Sequence, residues 1–392
     1  MSRLSELRDA GVSIWLDSLS RDLLETGAFE ELIATGHVTG ATSNPTIFER
    51  ALAGSERYDV QLCAAVASGV RDPRGLFFEL ALEDVGRAAD LLRPTYDACG
   101  GTDGFVSFEC TPELAGDTAG TIAQALELWR RLARPNVMIK VPATEAGVPA
   151  IEELTARGVN VNVTLLFSVS RYEQVMEAYL AGLERRLAEG LPLERIASVA
   201  SFFVSRVDSE AHAILPEGSE LRGRVAVANA HAAYALYRSR FGDERWTRLE
   251  GAGARPQRPL WASTGTKDPS LSDVIYVEEL VAPGVINTMP LATLRAFADH
   301  GDVRETIADR AGEAAGTLRR AEAAGVDLRA ITARLERQGV QSFCESYRRL
   351  LEGIESRLAV VTVPAARRSA RGKDRCGHGA NPSRADRVER TA

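Results

Sequence analysis

The sequence predicts a single (β/α)8 barrel, and three observations lead to that prediction. Short β-type runs alternate along the 392 residues with long segments of helical periodicity that are rich in Ala, Leu, Arg and Glu. Eight such runs occur, and each is followed by a polar or ionisable residue near its carboxyl end. No linker divides residues 1–358, which we therefore expect to form one catalytic domain.

The predicted strands follow one another in chain order. They are Ser13–Leu16, Thr39–Thr42, Phe105–Phe108, Val137–Ile139, Val159–Thr164, Ile196–Phe203, Leu260–Ser263 and Val285–Asn287. Between the sixth and seventh strands, residues 216–259 predict an extended helical excursion. Residues 321–358 also have a helical pattern, and Gly339 predicts a break within it, so we expect a closing helix or pair of helices.

Composition limits the classes of partner. The net charge of −7 argues against nucleic acid, and no apolar stretch is long enough to span a bilayer. The five cysteines are scattered and follow neither a disulfide nor a zinc spacing. We therefore expect a cytoplasmic protein that does not act on membranes, and the sequence leaves open whether it is a monomer or a homodimer.

The end of the chain differs from the rest. Residues 360–392 contain eight basic and three acidic residues, together with Gly, Pro and Ser, and they lack helical periodicity. This composition predicts that residues 359–392 form a disordered basic tail.

The polar residues that end the strands predict one active site, because the carboxyl ends of barrel strands converge at one mouth. In chain order they are Asp17, Ser43 with Asn44, Glu109, Lys140, Asn162 with Thr164, Ser201 with Arg206, Ser263, and Asn287 with Thr288. This set offers an amine, two carboxylates, amides and hydroxyls, but neither a histidine nor a group with metal-ligand spacing. It favours imine-based carbon chemistry without a metal or cofactor over metal-assisted hydrolysis.

Lysine is so rare in this chain that each one is informative. Only Lys140, Lys267 and Lys373 occur among 47 basic residues. Arginine can replace a lysine that supplies only charge, but it cannot become the neutral amine that attacks a carbonyl. Lys140 lies in an apolar strand, where burial disfavours the ammonium form, and we predict that it is a Schiff-base nucleophile. A buried lysine that pairs with a carboxylate or extends to the surface is the alternative.

Several sequence blocks, in this order, resemble the bacterial transaldolases that carry the signature Trp-Ala-Ser-Thr-Gly-Thr-Lys. The resemblance covers residues 1–358. The blocks are Trp15 to Arg21, Thr42 to Phe48, Val106 to Glu109, Met138 to Thr144, Asn160 to Ser168, Ser201 to Arg206, Trp261 to Lys267 and Val285 to Pro290.

The resemblance implies a class I aldolase-type barrel that transfers a dihydroxyacetone unit between sugar phosphates of the non-oxidative pentose phosphate pathway. It implies Lys140 as the nucleophile and Asp17 as the acid–base group. Glu109 and Thr164 are implied to hold a water molecule for proton transfer. The remaining implied residues bind substrate: Asn44 and Asn162 bind the three-carbon unit, and Ser201, Arg206, Ser263 and Lys267 bind the phosphate.

One departure from the family pattern bears on the site. The family usually has Asn-Pro after the signature lysine, whereas this chain has Asp268-Pro269. The carboxylate of Asp268 either weakens phosphate binding or caps the next helix.

Two alternatives to a transaldolase remain. A fructose 6-phosphate aldolase, which is a lyase, would use the same imine chemistry, and an assay with and without an acceptor aldehyde would distinguish it. A non-catalytic sugar-phosphate-binding barrel is the other alternative, but such a protein would be expected to have lost Lys140 or Asp17.

Overall fold

The eight predicted strands form one closed barrel of parallel strands. A computed structural model describes residues 2–304, 307 and 310–361. Each strand pairs with the next in chain order, and the last pairs with the first to close the barrel. The strands are β1 (Ser13–Leu16), β2 (Gly40–Thr42), β3 (Val106–Glu109), β4 (Val137–Pro142), β5 (Val161–Leu166), β6 (Ser198–Phe203), β7 (Arg258–Ala262) and β8 (Ile286–Met289). The predicted (β/α)8 fold class is confirmed.

The helices lie between the strands and after the last one. In chain order they are α1 (Arg3–Asp9), α2 (Arg21–Glu25), α3 (Ala28–Ala34), α4 (Pro45–Gly54), α5 (Asp59–Ala67), α6 (Pro73–Ala98), α7 (Thr118–Leu132), α8 (Gly147–Ala156), α9 (Val169–Ala188), α10 (Ser205–His212), α11 (Val225–Arg240), α12 (Glu244–Gly251), α13 (Ile275–Glu278), α14 (Leu291–His300), α15 (Ala311–Ala323) and α16 (Leu328–Val361). Helices α11 and α12 confirm the helical excursion predicted for residues 216–259, although its last two residues belong to β7.

Both faces of the barrel wall are covered, so its strands are runs of buried residues rather than alternating ones. All residues of β3, β4, β5, β6 and β8 are buried. At β2 the wall is tight enough to require glycine: a Cβ on Gly40 would lie 2.5 Å from the Trp15 indole of the neighbouring strand. This packing fixes the level at which β1 and β2 end, and hence the positions of the polar residues that follow them.

Five strand ends differ from the prediction. Strand β3 runs one residue further, to Glu109, and β5 runs two residues further, to Leu166. Strand β4 continues past Ile139 to Pro142, so Lys140 lies inside the strand rather than at its end. Proline is tolerated there because the pairing of β4 with β3 ends at Lys140, and no residue of β3 is paired with Pro142. Strand β7 ends one residue early, at Ala262, because Ser263 has a φ of +56° and leaves the extended conformation. Strand β8 runs to Met289 rather than Asn287.

The predicted helix break at Gly339 is wrong, because α16 runs continuously from Leu328 to Val361. The chain breaks earlier, at Gly325, which has a φ of +89° between α15 and α16. Gly339 instead allows close packing: a Cβ there would lie 2.8 Å from the side chain of Leu165 in β5. Helix α16 therefore packs directly against the carboxyl end of the barrel wall.

Helix α16 is also fastened to α4, which follows β2. Arg349 donates to both carboxylate oxygens of Glu49, and a 2.8 Å hydrogen bond joins the hydroxyls of Thr46 and Ser346. Arg357 donates to the carbonyl of Leu52. The predicted closing helix thus lies next to the residues that follow β2.

The predicted domain boundary at residue 358 falls within α16. The remainder of the predicted tail, residues 362–392, lies outside the described residues, and the boundary stays a prediction. None of the described helices is long and apolar enough to cross a membrane.

Candidate active site

A cavity of about 480 Å³ opens at the carboxyl ends of the strands. Seven of the ten predicted site residues line it: Asp17, Asn44, Lys140, Ser201, Arg206, Ser263 and Lys267. The other three, Glu109, Asn162 and Thr164, are buried in β3 and β5, on either side of the lysine strand β4. No histidine or cysteine is among the lining residues, and the described residues include no group of side chains that could hold a metal ion.

Lys140 is the most enclosed ionisable residue that lines the cavity, with 4% of its surface exposed. Its Nζ donates to the carbonyl of Ser43 at 3.2 Å and lies 3.4 Å from Oε2 of Glu109. In the strand register, Glu109 stands beside Lys140 and Lys140 beside Asn162. Because register partners in parallel strands point to the same face, these three side chains project into the barrel together.

The carboxyl group of Glu109 can be either neutral or ionised near neutral pH. Burial raises the pKa of its carboxyl group to about 7, with the ammonium of Lys140 opposing the rise and the charge of Asp17 adding to it. Neither its Oε2 nor the Oγ1 of Thr164 has a hydrogen-bond partner among the described residues, although both atoms are buried. These oxygens are available to a small polar molecule near the amine.

Asp17 is oriented by two threonines from neighbouring strands. Thr42 donates to Oδ1 of Asp17 at 2.8 Å, and a second 2.8 Å bond joins the hydroxyls of Thr42 and Thr288. Since Thr42 has one hydroxyl proton, which goes to Asp17, Thr288 is the donor in the second bond. Burial raises the pKa of Asp17, against the influence of Lys140 and the Thr42 hydrogen bond. Sequence analysis placed Thr288 at a strand end and did not identify Thr42.

The two predicted substrate-binding asparagines differ in how much of their amide is free. Oδ1 of Asn44 caps α4 by accepting from the backbone N–H of Ile47 at 3.0 Å, which leaves its NH2 group facing the cavity. Asn162 instead donates to Ser107 at 2.8 Å and accepts from Ser201 at 2.7 Å. Asn162 therefore orients Ser201, and only Ser201 of that pair lines the cavity.

Positively charged side chains line the cavity close to one another. Arg206, in the first turn of α10, lies 5.5 Å from the ring of Phe203, and Lys267 lies on the loop after β7. The hydroxyl of Ser263, on the same loop as Lys267, lies 2.9 Å from that of Ser205, the residue before Arg206. Partial burial and the nearby guanidinium groups of Arg206 and Arg50 lower the pKa of Lys267.

Arg50 of α4 completes this group of cations and was missed by the sequence analysis. It lines the same cavity. It lies on the same helical face as Thr46 and Ile47, four and three residues earlier, which also line the cavity. Counting helical positions from the capping residue Asn44 would have found it.

The carboxylate of Asp268 pairs with Arg222 and His212 and not with Lys267 or Arg206. Its Oδ2 lies 3.0 Å from both Arg222 and His212, and its Oδ1 accepts from the N–H and hydroxyl of Ser270. These contacts lower the pKa of its carboxyl group. The carboxylate closes a turn, so the expected helix cap is not seen, and it does not line the cavity. Its expected weakening of phosphate binding stays a prediction.

Comparisons with known proteins agree with this geometry. The family described as Transaldolase/Fructose-6-phosphate aldolase matches residues 14–354. The chain is 52% identical over 361 residues to the transaldolase of Saccharopolyspora erythraea, covering 91% of this chain and 98% of that protein. It is 50% identical over 367 residues to the transaldolase of Thermobifida fusca, covering 92% and 100% of the two chains. The predicted enzyme class, a transferase of the transaldolase type, is confirmed. The chain therefore belongs to the transaldolase/fructose-6-phosphate aldolase family.

Proposed function

We propose that this enzyme transfers a dihydroxyacetone unit from sedoheptulose 7-phosphate or fructose 6-phosphate to glyceraldehyde 3-phosphate or erythrose 4-phosphate. The observation that carries the proposal is the environment of Lys140. Its buried amine lies 3.4 Å from a carboxylate, in a cavity that also contains an oriented aspartate and a group of cations. The amine suits a ketone, and the cations suit a phosphate.

The first step forms a covalent imine. The neutral amine of Lys140 attacks the C2 ketone, and the resulting carbinolamine loses water to give a protonated imine. Glu109 and Thr164 hold the water molecule that carries protons in this step. Their support is that two buried oxygens, Oε2 of Glu109 beside the Lys140 amine and Oγ1 of Thr164, have no hydrogen-bond partner among the described residues, and that the pKa of Glu109 is about 7.

The second step breaks the C3–C4 bond. Asp17 accepts the proton of the C4 hydroxyl, the C3–C4 electron pair moves into the imine, and the aldose phosphate leaves with its new aldehyde. The product on Lys140 is a three-carbon enamine. The hydrogen bond from Thr42 fixes one oxygen of Asp17 and leaves the other for the hydroxyl.

The third step reverses the second with a different aldehyde. The enamine carbon attacks the acceptor aldehyde, Asp17 returns its proton to the new hydroxyl, and water hydrolyses the imine. Asn44 binds a hydroxyl of the enamine through the NH2 group that faces the cavity. Asn162 binds a second hydroxyl through the amide N–H that Ser107 does not accept. Ser201, Ser263, Arg206 and Lys267 bind the phosphate.

The proposed role of Glu109 predicts a pH dependence. With a pKa of about 7, Glu109 becomes ionised, and able to accept a proton, as pH rises through neutrality. We expect kcat/KM to rise with pH to a plateau above this pKa. Glu109→Gln should abolish this rise with pH and lower kcat/KM by about 10²- to 10³-fold. If kcat/KM of the variant still rose with pH in this range, the rise would be due to the ionisation of another group.

The decisive assay follows the acceptor. The purified enzyme is incubated with fructose 6-phosphate, and glyceraldehyde 3-phosphate is measured with and without erythrose 4-phosphate. A transaldolase releases it in steady state only when the acceptor is present, together with sedoheptulose 7-phosphate. Equal release without acceptor would identify the alternative aldolase, and no release under either condition would overturn both.

The compartment we propose is the cytoplasm. Cys63, Cys99, Cys110 and Cys344, the four cysteines in the described part of the chain, are all free thiols. Unpaired cysteines are typical of proteins in a reducing compartment.

A further inference from the structure

Three cations that line the active-site cavity have no ion-pair partner among the described residues, although the carboxylate of Asp17 attracts Arg206 at longer range. Arg206, Lys267 and Arg50 form no ion pair with any carboxylate within residues 2–304, 307 and 310–361. Glu49 is adjacent to Arg50 in sequence, but its carboxylate is taken by Arg349 of α16. Such a group of cations lining one cavity indicates a site for an anionic ligand.

The three cations lie at two depths in the cavity. Arg206 interacts electrostatically with Asp17, and Lys267 interacts with both Arg206 and Arg50. Arg206 is half-buried, whereas Lys267 and Arg50 are exposed. Arg50 and Lys267 thus lie nearer the opening than Arg206 does.

The proposed substrates present their phosphate at two distances from the imine. Fructose 6-phosphate and glyceraldehyde 3-phosphate share a three-carbon aldose end, whereas sedoheptulose 7-phosphate and erythrose 4-phosphate share a four-carbon one. The reacting carbons are fixed by Lys140 and Asp17. The longer aldose must therefore place its phosphate one carbon further from the reacting carbons.

We propose that Arg50 is a specificity-determining residue that binds the phosphate of the longer aldose. Arg206 serves both lengths, and Arg50 adds a third cation only when the phosphate lies toward the opening. This inference rests on the proposed function. It assigns to Arg50 the capacity to favour sedoheptulose 7-phosphate and erythrose 4-phosphate over their shorter counterparts.

The arrangement of α4 and α16 supports this role. The hydrogen bond between Thr46 and Ser346 and the Arg349–Glu49 pair fasten α4 before Arg50, and the hydrogen bond from Arg357 to the carbonyl of Leu52 fastens it after Arg50. The backbone that carries Arg50 is therefore held in place, and a long guanidinium side chain on it can form two parallel hydrogen bonds to a phosphate.

The test compares Arg50→Gln with Arg71→Gln. Arg71 is an exposed arginine between α5 and α6 that does not line the cavity, so its loss changes the net charge equally. Steady-state constants are measured for both donors with saturating acceptor and for both acceptors with saturating donor. We expect Arg50→Gln to lower kcat/KM about 10-fold for sedoheptulose 7-phosphate and erythrose 4-phosphate, mainly by raising KM. For fructose 6-phosphate and glyceraldehyde 3-phosphate, we expect kcat/KM to fall less than 3-fold. Arg71→Gln should match the unmodified enzyme.

Each other outcome has a definite meaning. Equal losses for both pairs would overturn the selection by length, and no loss for either would overturn the involvement of Arg50 in phosphate binding. If the unmodified enzyme turned over no donor, the proposed function itself would have failed. If it turned over both donors and Arg50→Gln behaved like Arg71→Gln, only the present inference would fall.

Discussion

Replacing Lys140 by methionine is expected to lower transaldolase turnover by on the order of 10⁴-fold or more, because the variant cannot form an imine. Methionine has a similar length and no charge, and the neighbouring Glu109, with a pKa of about 7, can adopt its neutral form. The barrel should therefore still fold. Turnover and thermal unfolding are measured on the same preparation.

The covalent intermediate gives this prediction a second, independent measurement. The enzyme is incubated with fructose 6-phosphate, reduced with borohydride, and digested for peptide mass spectrometry. The unmodified enzyme should carry a three-carbon adduct on Lys140, and Lys140→Met should carry none. Lys267→Met is the matched control, because it also removes a cavity lysine but should keep the adduct. Folded Lys140→Met with normal turnover would exclude the imine mechanism.

Replacing Asp17 by asparagine is expected to separate imine formation from bond cleavage. The amide oxygen can still accept the hydrogen bond from Thr42, so the side chain should stay in place, but it cannot take the proton of the C4 hydroxyl. We expect kcat to fall by about 10²- to 10⁴-fold. After borohydride reduction, Lys140 should carry the mass of the intact hexose phosphate instead of a three-carbon unit.

Thr42→Val provides a graded comparison for Asp17. It keeps the shape of the buried side chain but removes the hydroxyl that donates to the carboxylate at 2.8 Å. We expect a smaller loss of kcat than in Asp17→Asn, and a three-carbon adduct. A three-carbon adduct at the normal rate in Asp17→Asn would remove Asp17 from the cleavage step.

Strand positions were predictable because each strand of this barrel is a buried apolar run between helical segments. The residues at which the strands end were less predictable. Val141 and Pro142 continue β4 beyond Lys140, and nothing in their composition distinguishes a strand end from a loop. Gly339 was misread because a glycine predicts a helix break from local conformation alone, whereas here it makes room for Leu165 of a distant strand.

Site residues were predictable where the polar group directly follows a strand, as for Asp17 and Ser263. Two kinds of residue were harder to identify. Thr42 is an ordinary strand threonine until the barrel closes and brings its hydroxyl to Asp17. Arg50 is one arginine among many until α4 turns its face toward the cavity. Both acquire their significance from contacts between elements, which local sequence patterns do not encode.

The seam between the first and last strands has a consequence for how the enzyme matures on the ribosome. Asp17 donates its backbone N–H to Met289 of β8, and its carboxylate is oriented through Thr42 by Thr288 of the same strand. The nucleophile Lys140 is synthesised much earlier than either β8 residue. A nascent chain therefore exposes its amine while its acid–base group is still unaligned, and catalytic competence should arise late and abruptly, when β8 emerges and closes the seam.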